Sequence, residues 1–500
     1  MMNGTRPHGL DERGMVAVMA LIVVLALSLL VAAFLAVSAF EPQISQNLAD
    51  STQARYAADA GIEWAFDKLV STPVWDTLLV NAGACGTPVT PAGWSNVTIA
   101  GLAGSFTVSL RNDCLADVII PDSLITGVAI DNVGAPPGSP SHDDNGILIL
   151  TATGTFQGAQ KRIQVVMRRH LPPGLSFPAA VNEPGVQSDT YVVCTAVEGP
   201  CANFEIDGRD YSCSACTPEA DAAWYKSGNW SAASGPALKL GIATQPGDQQ
   251  DLSPATTYKK NVENAFTSGT AAQLAQKEGA ITGKNQATPD PPAPDPPATA
   301  TGLDAIGATK ALDLPTMQNL LKTLTSNPKT QILQSTLACP MQITGDVGGP
   351  TSTPTVTNGC GKSQTIDLGT PSNPQLVYFR GDLDPTSNFT GLGINNQVQG
   401  AGILVVEDGD LKVFGNLTWH GVIIVTGRNV GAGFMDGSTT MINGALVSNE
   451  TVWNEQPGFA ELHLGTMLGS ATFHYSQQAL DLMNRIRKNH TLYGWRTVSN

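Results

Sequence analysis

Two closely spaced cysteines form the motif Cys213-x-x-Cys216, the pattern in this chain with the clearest chemical potential. Such a pair can bind zinc or exchange disulfides. A zinc site of the usual kind needs a second ligand pair at matching spacing. The nearby Cys194 and Cys201 are separated by a wider, irregular gap. We therefore expect local disulfides here, with neither a metal nor a cofactor.

The even number of cysteines is typical of a disulfide framework in an exported protein. The candidates are Cys85, Cys114, Cys194, Cys201, Cys213, Cys216, Cys339 and Cys360. Their pairing cannot be deduced from the sequence. Proximity along the chain favours Cys85 with Cys114 and Cys339 with Cys360.

Acidic residues at Gly-Asp corners form a second group with chemical potential. They are Asp382, Asp384, Glu407, Asp408 and Asp410. Their oxygens could bind Ca²⁺, and the four aspartates, with Arg380 and Arg428, could act on a carbohydrate. Aspartate at such corners more often bonds its own backbone. The seven histidines are scattered without metal-ligand spacing, and no nucleophile elbow or Walker loop occurs. We predict no catalytic, cofactor-binding or metal residues, and no enzyme.

The composition favours a β-rich, exported body. Charged residues are 14% of the chain, against about 25% in typical domains. The 51 glycines and 33 prolines make turns abundant, which suits an all-β or solenoid body. The net charge is −15, with no basic stripe, so nucleic acid is excluded as a partner. A length of 500 residues indicates more than one domain.

One uncharged segment, Met15 to Phe40, is long enough to cross a bilayer as a helix. Its 26 or so residues would extend roughly 39 Å. Ala36-Val37-Ser38 also resembles a signal-peptidase site, so that alternative stays open. Pro42 should kink or interrupt the helix just beyond the membrane.

The segment after the apolar run, Glu41 to Leu69, continues with helix-forming residues. Its apolar stripe consists of Ala58, Ile62, Ala65, Phe66 and Leu69. This spacing predicts an amphipathic helix that lies on the exported domain.

Two motifs in this region carry a family resemblance. Glu12-Arg13-Gly14 before an apolar helix resembles a type IV prepilin leader, and Tyr56-Ala-Ala-Asp-Ala-Gly-Ile-Glu63 resembles the PilX-type pilin N-terminal domain. The resemblance covers residues 10–70. It implies cleavage by prepilin peptidase between Gly14 and Met15, and contacts with other pilin-like subunits through the helix. The family usually has glutamate at the position of Met19. A subunit without that acid suits a place with no further neighbour, such as the filament tip.

The predicted fold class is α+β, with a long pilin-like helix on a small sheet followed by a β-rich, solenoid-like domain. A hairpin over 147–169, turning at Gln157-Gly158, closes a first domain that spans 41–170. The β-rich domain begins within 176–216, residues 217–345 form an irregular insertion, and 286–302 are a Pro-rich spacer.

Glycine-led apolar strands recur at Gly402, Gly421 and Gly444, with Leu376 at an earlier position. This repeat predicts a β-solenoid over 346–475, and an irregular β-sandwich is the alternative. The apolar stripe of 476–488 predicts a helix that caps the stack within a 476–500 tail.

Together these features indicate a structural minor pilin-like subunit of a type IV pilus or a related secretion filament. We expect a single-pass inner-membrane location with a periplasmic body before assembly, and a pilus or cell-surface location afterwards. The expected partners are pilin-like subunits, the inner membrane, prepilin peptidase, and surfaces or polysaccharide. A membrane-anchored adhesin and a tethered carbohydrate-active enzyme are the two alternatives.

Overall fold

The structure is a computed structural model of the chain. It describes residues 12–114, 140–143, 145–171, 175–185, 189–217, 220–235, 237–244, 258–285, 299–309, 311–327, 329–344, 355–358, 360–382, 390–428, 430–452 and 461–498.

The chain begins with one long helix, α1 (Glu12–Val70), of 59 residues. Of the two outcomes predicted for Pro42, the interruption is wrong, because the helix continues through that residue, while the kink stays a prediction. A proline removes one backbone hydrogen bond and costs about 3 kcal/mol. Long helical stretches on both sides propagate cooperatively and offset that loss.

A short helix and three strands follow. They are α2 (Asp76–Leu79), β1 (Ser105–Asn112), β2 (Ile147–Phe156) and β3 (Ala159–Arg169). A long series of short elements comes next. They are β4 (Ala179–Glu183), β5 (Thr190–Val192), β6 (Phe204–Asp207), β7 (Tyr211–Cys213), α3 (Asp221–Trp224), β8 (Trp230–Ala232), β9 (Leu240–Thr244), α4 (Tyr258–Thr267), α5 (Ala271–Gly279), β10 (Ile281–Lys284), β11 (Thr299–Thr301), β12 (Ile306–Ala308), α6 (Leu314–Ser326), β13 (Ile332–Gln334), β14 (Met341–Thr344), β15 (Thr355–Asn358), β16 (Ser363–Thr365), β17 (Gln375–Arg380), β18 (Thr390–Ile394), β19 (Val398–Glu407), β20 (Asp410–Val413), β21 (Asn416–Arg428), β22 (Ala432–Phe434), β23 (Thr439–Val452), β24 (Leu462–Leu464), β25 (Ser470–Tyr475) and α7 (Gln477–Leu480). The last strand is β26 (His490–Val498).

The sheet module consists of the second half of α1 packed on a four-stranded antiparallel sheet in the order β1-β2-β3-β26. The structure confirms the predicted hairpin, because β2 pairs with β3 around Gln157 and Gly158, both at positive φ. Its core joins the helix stripe to one face of the sheet. Among its fully buried members are Ala58, Ile62, Leu69, Phe106, Val108, Leu150 and Val165.

The C-terminal segment differs from the expected capping helix and tail. Residues 477–480 form only one helical turn, which is followed by 3₁₀ turns. Residues 490–498 then return to the sheet module and pair antiparallel with β3. The apolar stripe that predicted a long helix is satisfied by burying Leu480, Met483 and Ile486 against the body. The β-rich body therefore lies, in chain order, between two neighbouring strands of one sheet.

The ladder body, residues 175–489, consists mainly of parallel strands in register. The recurring glycines align, since Gly402 pairs with Gly421 and Gly421 with Gly444. All three have φ between +116° and +134°, a range that favours glycine. On β23, the residues up to Gly444 pair with β25, and Leu446 and Val447 pair with β4. A separate ladder contains β14, β18, β20, β22, β24 and β5.

The body's first strands lie beside its last ones. We call this boundary the seam, and it consists of the parallel pairs β4 with β23, β5 with β24, and β6 with β25. On one side of the seam, β4 pairs with β9, and β9 pairs with β12. On the other side, the ladder continues from β23 through β21, β19 and β17 to β13.

The segment 217–345, predicted to be irregular, contributes strands to these ladders: β9 pairs with β4, β10 with β6, and β13 with β17. Strands of three to five residues are too short to show a period. Most of the predicted Pro-rich spacer lies outside the described residues, and its end forms β11. The segment 217–345 also contains α6, which has Asp313 as its N-cap and proline in its first turn.

Candidate functional surfaces

The first half of α1 is an exposed apolar surface. This helix is the one in the described part of the chain that is long and apolar enough to span a membrane. Met15 is 67% exposed and Met19 is 66% exposed, so both candidate residues face outward. Gly14 lies in the first turn of the helix. No acidic residue lies between Met15 and Phe40 to pair with a cation.

The second half of α1 is held closely against the sheet. Gly154 of β2 allows this approach, because a Cβ there would lie 2.0 Å from the Ala54 carbonyl oxygen. A Cβ on Gly61 would lie 3.0 Å from the Phe106 ring. The helix that would anchor the chain is therefore also a core element of the folded module.

The structure forms four disulfides, all between cysteines near each other in the chain. They are Cys85–Cys114, Cys194–Cys201, Cys213–Cys216 and Cys339–Cys360. Each bond closes a local loop, which restricts the unfolded chain. The described residues contain no group of three or more His, Cys, Asp or Glu side chains placed to hold a metal ion.

Three of the five acidic residues considered for Ca²⁺ or catalysis have partners within the protein. Glu407 accepts hydrogen bonds from Arg380 at 2.5 Å and Tyr378 at 2.8 Å. Asp408 accepts from the backbone N–H of Arg428. Asp410 is paired with Lys412 at 3.3 Å, and burial raises its pKa to about 7. Within the described residues Asp382 makes no such contact, and Asp384 lies outside those residues.

His420, one of the seven scattered histidines, is fully buried. Its ring stacks on Trp230 at 5.2 Å and contacts Trp224 at 5.6 Å edge to face. Burial lowers its pKa to about 3, so the imidazole is neutral. This buried, aromatic environment fits a packed core histidine better than an acid–base catalyst.

A cluster of three buried carboxyl groups lies at the part of the seam formed by β4, β23 and the residue before β24, and it was not singled out from the sequence. Glu183 is 0% exposed, Glu461 2% and Glu450 8%. The Thr190 hydroxyl donates to Glu183, and the Glu450 backbone N–H donates to Glu461 at 3.1 Å. Burial raises the pKa of Glu183 to about 8 and raises that of Glu461 well above its ordinary value; the charges of Glu183 and Glu450 add to the rise at Glu461.

A cavity of about 410 Å³ lies between the sheet module and the ladder body. Arg169 lines it, stacks over Trp75 at 4.5 Å and donates to the Pro73 carbonyl at 2.6 Å. Its ion pair with Asp143 measures 3.7 Å, and both side chains are buried. These contacts lie within the sheet module, so Arg169 joins the end of β3 to the segment that follows α1.

Neither a protein-family model nor a curated protein matches the chain. Among solved structures, the chain is similar to the crystal structure of the competence-associated pilin ComZ from Thermus thermophilus. The sequence identity is 13%, the match covers 90% of this chain and 97% of that one, and the TM-score is 0.23. A likeness at this TM-score carries no structural argument, so the proposals below rest on the residues themselves.

Proposed function

We propose that the chain is a structural, non-catalytic minor pilin-like subunit of a type IV pilus or a related secretion filament. The observation that carries the proposal is the division of α1. Its first half is apolar and exposed over residues 15–38, while one face of its second half, from Ala54 to Val70, is buried on the sheet module. A filament subunit needs such a helix to insert among neighbouring helices while the folded domain projects outward.

The proposal also covers the processing of the N-terminus and the position of the subunit in the filament. Prepilin peptidase would cut between Gly14 and Met15 and leave the exposed helix as the new N-terminus. Met19 provides no carboxylate for the amine of another subunit, and an unpaired charge among apolar helices is costly. The subunit would therefore occupy the filament tip, with its partners, the other pilin-like subunits, on one side.

We further propose that the ladder body is a β-solenoid that projects from this helix. The parallel register of β17, β19, β21 and β23 supports this interpretation. Before assembly the body would lie in the periplasm, with α1 in the inner membrane. In the filament it would be exposed at the cell surface.

End-labelling of sheared filaments tests the place of the subunit. Gold-conjugated antibody against the ladder body should label one end of each filament and leave the shaft bare. Antibody against the major subunit, as the control, should label the whole shaft. Label of the ladder body along the shaft would contradict the tip position. Its absence from washed filaments, with retention in membranes, would contradict the filament role.

A further inference from the structure

The ladder that contains β14, β18, β20, β22, β24 and β5 has an outer face on which equivalent residues of successive strands are aligned. Its inward residues, such as Phe434 and Leu464, belong to the core of the body. The outward residues at the middle of these six strands form one row, in which each member pairs in register with the next. We call it the outer row, and it consists of Tyr191, His463, Gly433, Lys412, Gly393 and Gln342.

The length of the outer row indicates an extended ligand. Five strand spacings separate Tyr191 on β5 from Gln342 on β14, roughly 24 Å. A linear β-linked glycan advances per sugar by a distance close to one strand spacing, whereas an extended peptide advances only about 3.3 Å per residue. The repeat of the row therefore matches successive sugars better than successive amino acids.

Two aromatic rings are exposed on this face. Tyr191 is 56% exposed, and its ring centre lies 4.9 Å from that of His463, an edge contact that restricts its orientation. Phe414 follows β20 on the same side as Lys412 and is 48% exposed. The apolar faces of sugar rings stack on such aromatic rings, so both side chains can contact a glycan that lies along the row.

Glycines leave the floor of the row open between its larger side chains. Gly433 lies between His463 and Lys412, and Gly393 lies between Lys412 and Gln342. A Cβ on Gly393 would come no closer than 3.5 Å to the nearest atom, the Gln342 Cγ, and its φ is not positive. The fold alone therefore does not require glycine at this position. The missing side chain instead gives a flat ligand access to the backbone.

The polar groups of this face bring no unmatched charge to the row. The Asn395 side-chain amide donates to the Gln342 side-chain oxygen at 3.1 Å, which orients two neutral amides at one end. Lys412 pairs with Asp410 at 3.3 Å. Burial lowers the pKa of His463, so its imidazole is neutral at pH 7. A neutral ligand fits this face better than a polyanion, which the net charge of −15 would repel.

We propose that the outer row binds a neutral, linear, β-linked polysaccharide. The aromatic rings would stack on its sugars, and the amides at the other end would exchange hydrogen bonds with its hydroxyl groups. A protein partner would instead favour an apolar centre, whereas glycines and a paired lysine occupy the centre of this row. The proposal goes beyond the filament role and does not depend on it.

Isothermal titration calorimetry with the full-length protein, in a neutral detergent that contains no sugar, tests the proposal. The probes are cellohexaose and hexa-N-acetylchitohexaose, and maltohexaose is the matched probe with α-links. We expect at least one β-linked hexamer to bind, with a Kd at least about tenfold lower than that of its dimer, because the longer chain contacts more of the row. Maltohexaose should bind more weakly, since its curved chain does not follow the strand spacing.

Variants of the exposed rings and of the open floor locate the site. Tyr191→Ala/Phe414→Ala should raise Kd about tenfold or more. Gly393→Val should also raise Kd by filling the floor, and it keeps the test decisive if the double variant fails to fold. The control pair, Tyr56→Ala/Leu238→Ala, removes two exposed apolar side chains elsewhere and should change Kd by less than about twofold.

Four outcomes would overturn the proposal. They are no binding of either β-linked hexamer, equal weakening by both pairs of substitutions, and maltohexaose binding as tight as that of the β-linked hexamers. The fourth is displacement of the bound hexamer by a competitor of another class at a lower concentration. Polymannuronate as that competitor would favour an acidic polysaccharide, and reduced, carboxymethylated lactalbumin would favour a protein partner.

Discussion

The sheet module and the ladder body bury polar groups in different ways. The module's main core is apolar, with helix residues such as Ile62 facing strand residues such as Val108. The module's buried ion pair, Arg169 with Asp143, lies at a strand end and in a loop, whereas the body's aligned strands bury polar side chains along their length, among them His420, Thr426 and Asn443. The module therefore depends on complementary apolar faces, whereas the body depends on a strand register that aligns equivalent residues of successive strands. Each region should then fail through a different kind of substitution.

The two regions also differed in how much could be predicted. The hairpin and the helix stripe are local patterns, and both were found from the sequence. The repeat at Gly402, Gly421 and Gly444 was found as well, because long strands show their period. The pairing of β4 with β23 joins residues more than 250 positions apart, and nothing local indicates it.

The closure of the module by β26 was missed for a similar reason. Its partner β3 precedes it by the whole ladder body, and the apolar residues before it resembled a helix. The alternation within the hairpin, by contrast, is a local pattern. Arg162 and Gln164 alternate with Ile163 and Val165 of the core, which places both on the outer face of the sheet.

The largest expected effect is in the ladder body, from Gly444→Ala. A Cβ there would lie 1.9 Å from the Gly421 carbonyl oxygen, at a φ of +134°. We expect a loss of about 4 kcal/mol or more in the free energy of unfolding, or no folded body. Denaturant unfolding monitored by circular dichroism measures this. Gly228→Ala, where a Cβ meets nothing within 4 Å, is the control. Equal stability of the two variants would contradict the in-register stacking.

The next effect should be confined to the sheet module. Gly154→Ala places a Cβ against the Ala54 carbonyl oxygen and pushes α1 away from β2. We expect a loss of about 3 kcal/mol. Hydrogen exchange should show faster exchange in peptides of the module and unchanged exchange in the body. Gly83→Ala, which has open space around it, is the matched variant. Faster exchange throughout both regions would show that they unfold as one unit.

A pH-dependent effect should appear at the seam. The pKa of Glu183 is raised from 4.5 to about 8 in the folded chain, so the folded state holds a proton that the unfolded state has lost. Its contribution to stability is complete below pH 4.5 and is lost as pH rises through about 8. Glu183→Gln cannot ionise and keeps an oxygen for Thr190.

We expect Glu183→Gln to be more stable than the wild type by at least about 1 kcal/mol at pH 8.5, with little difference at pH 4.5. Thermal unfolding across this range measures the change. Glu198→Gln removes the same charge from an exposed residue and should leave the pH profile unaltered. A profile of Glu183→Gln parallel to that of the wild type would contradict the buried ionisation.

The smallest effect should come from the contact between the two regions. Arg487 pairs with Asp67 and lies 4.9 Å from the centre of the Phe66 ring. Both charged side chains are more than half exposed, so Arg487→Ala should cost at most about 1 kcal/mol. Chemical denaturation measures it, with Lys488→Ala as the neighbouring control. A loss above about 3 kcal/mol would contradict the small contribution expected of an exposed ion pair.

The proposal that α1 makes this chain a filament subunit is tested most directly by its processing. Intact mass and N-terminal sequence should be measured on the protein from membranes of cells with and without prepilin peptidase. We predict a chain that begins at Met15 when the peptidase is present and retains residues 1–14 when it is absent. An unprocessed N-terminus in both strains would contradict the proposal and leave α1 as a plain membrane anchor.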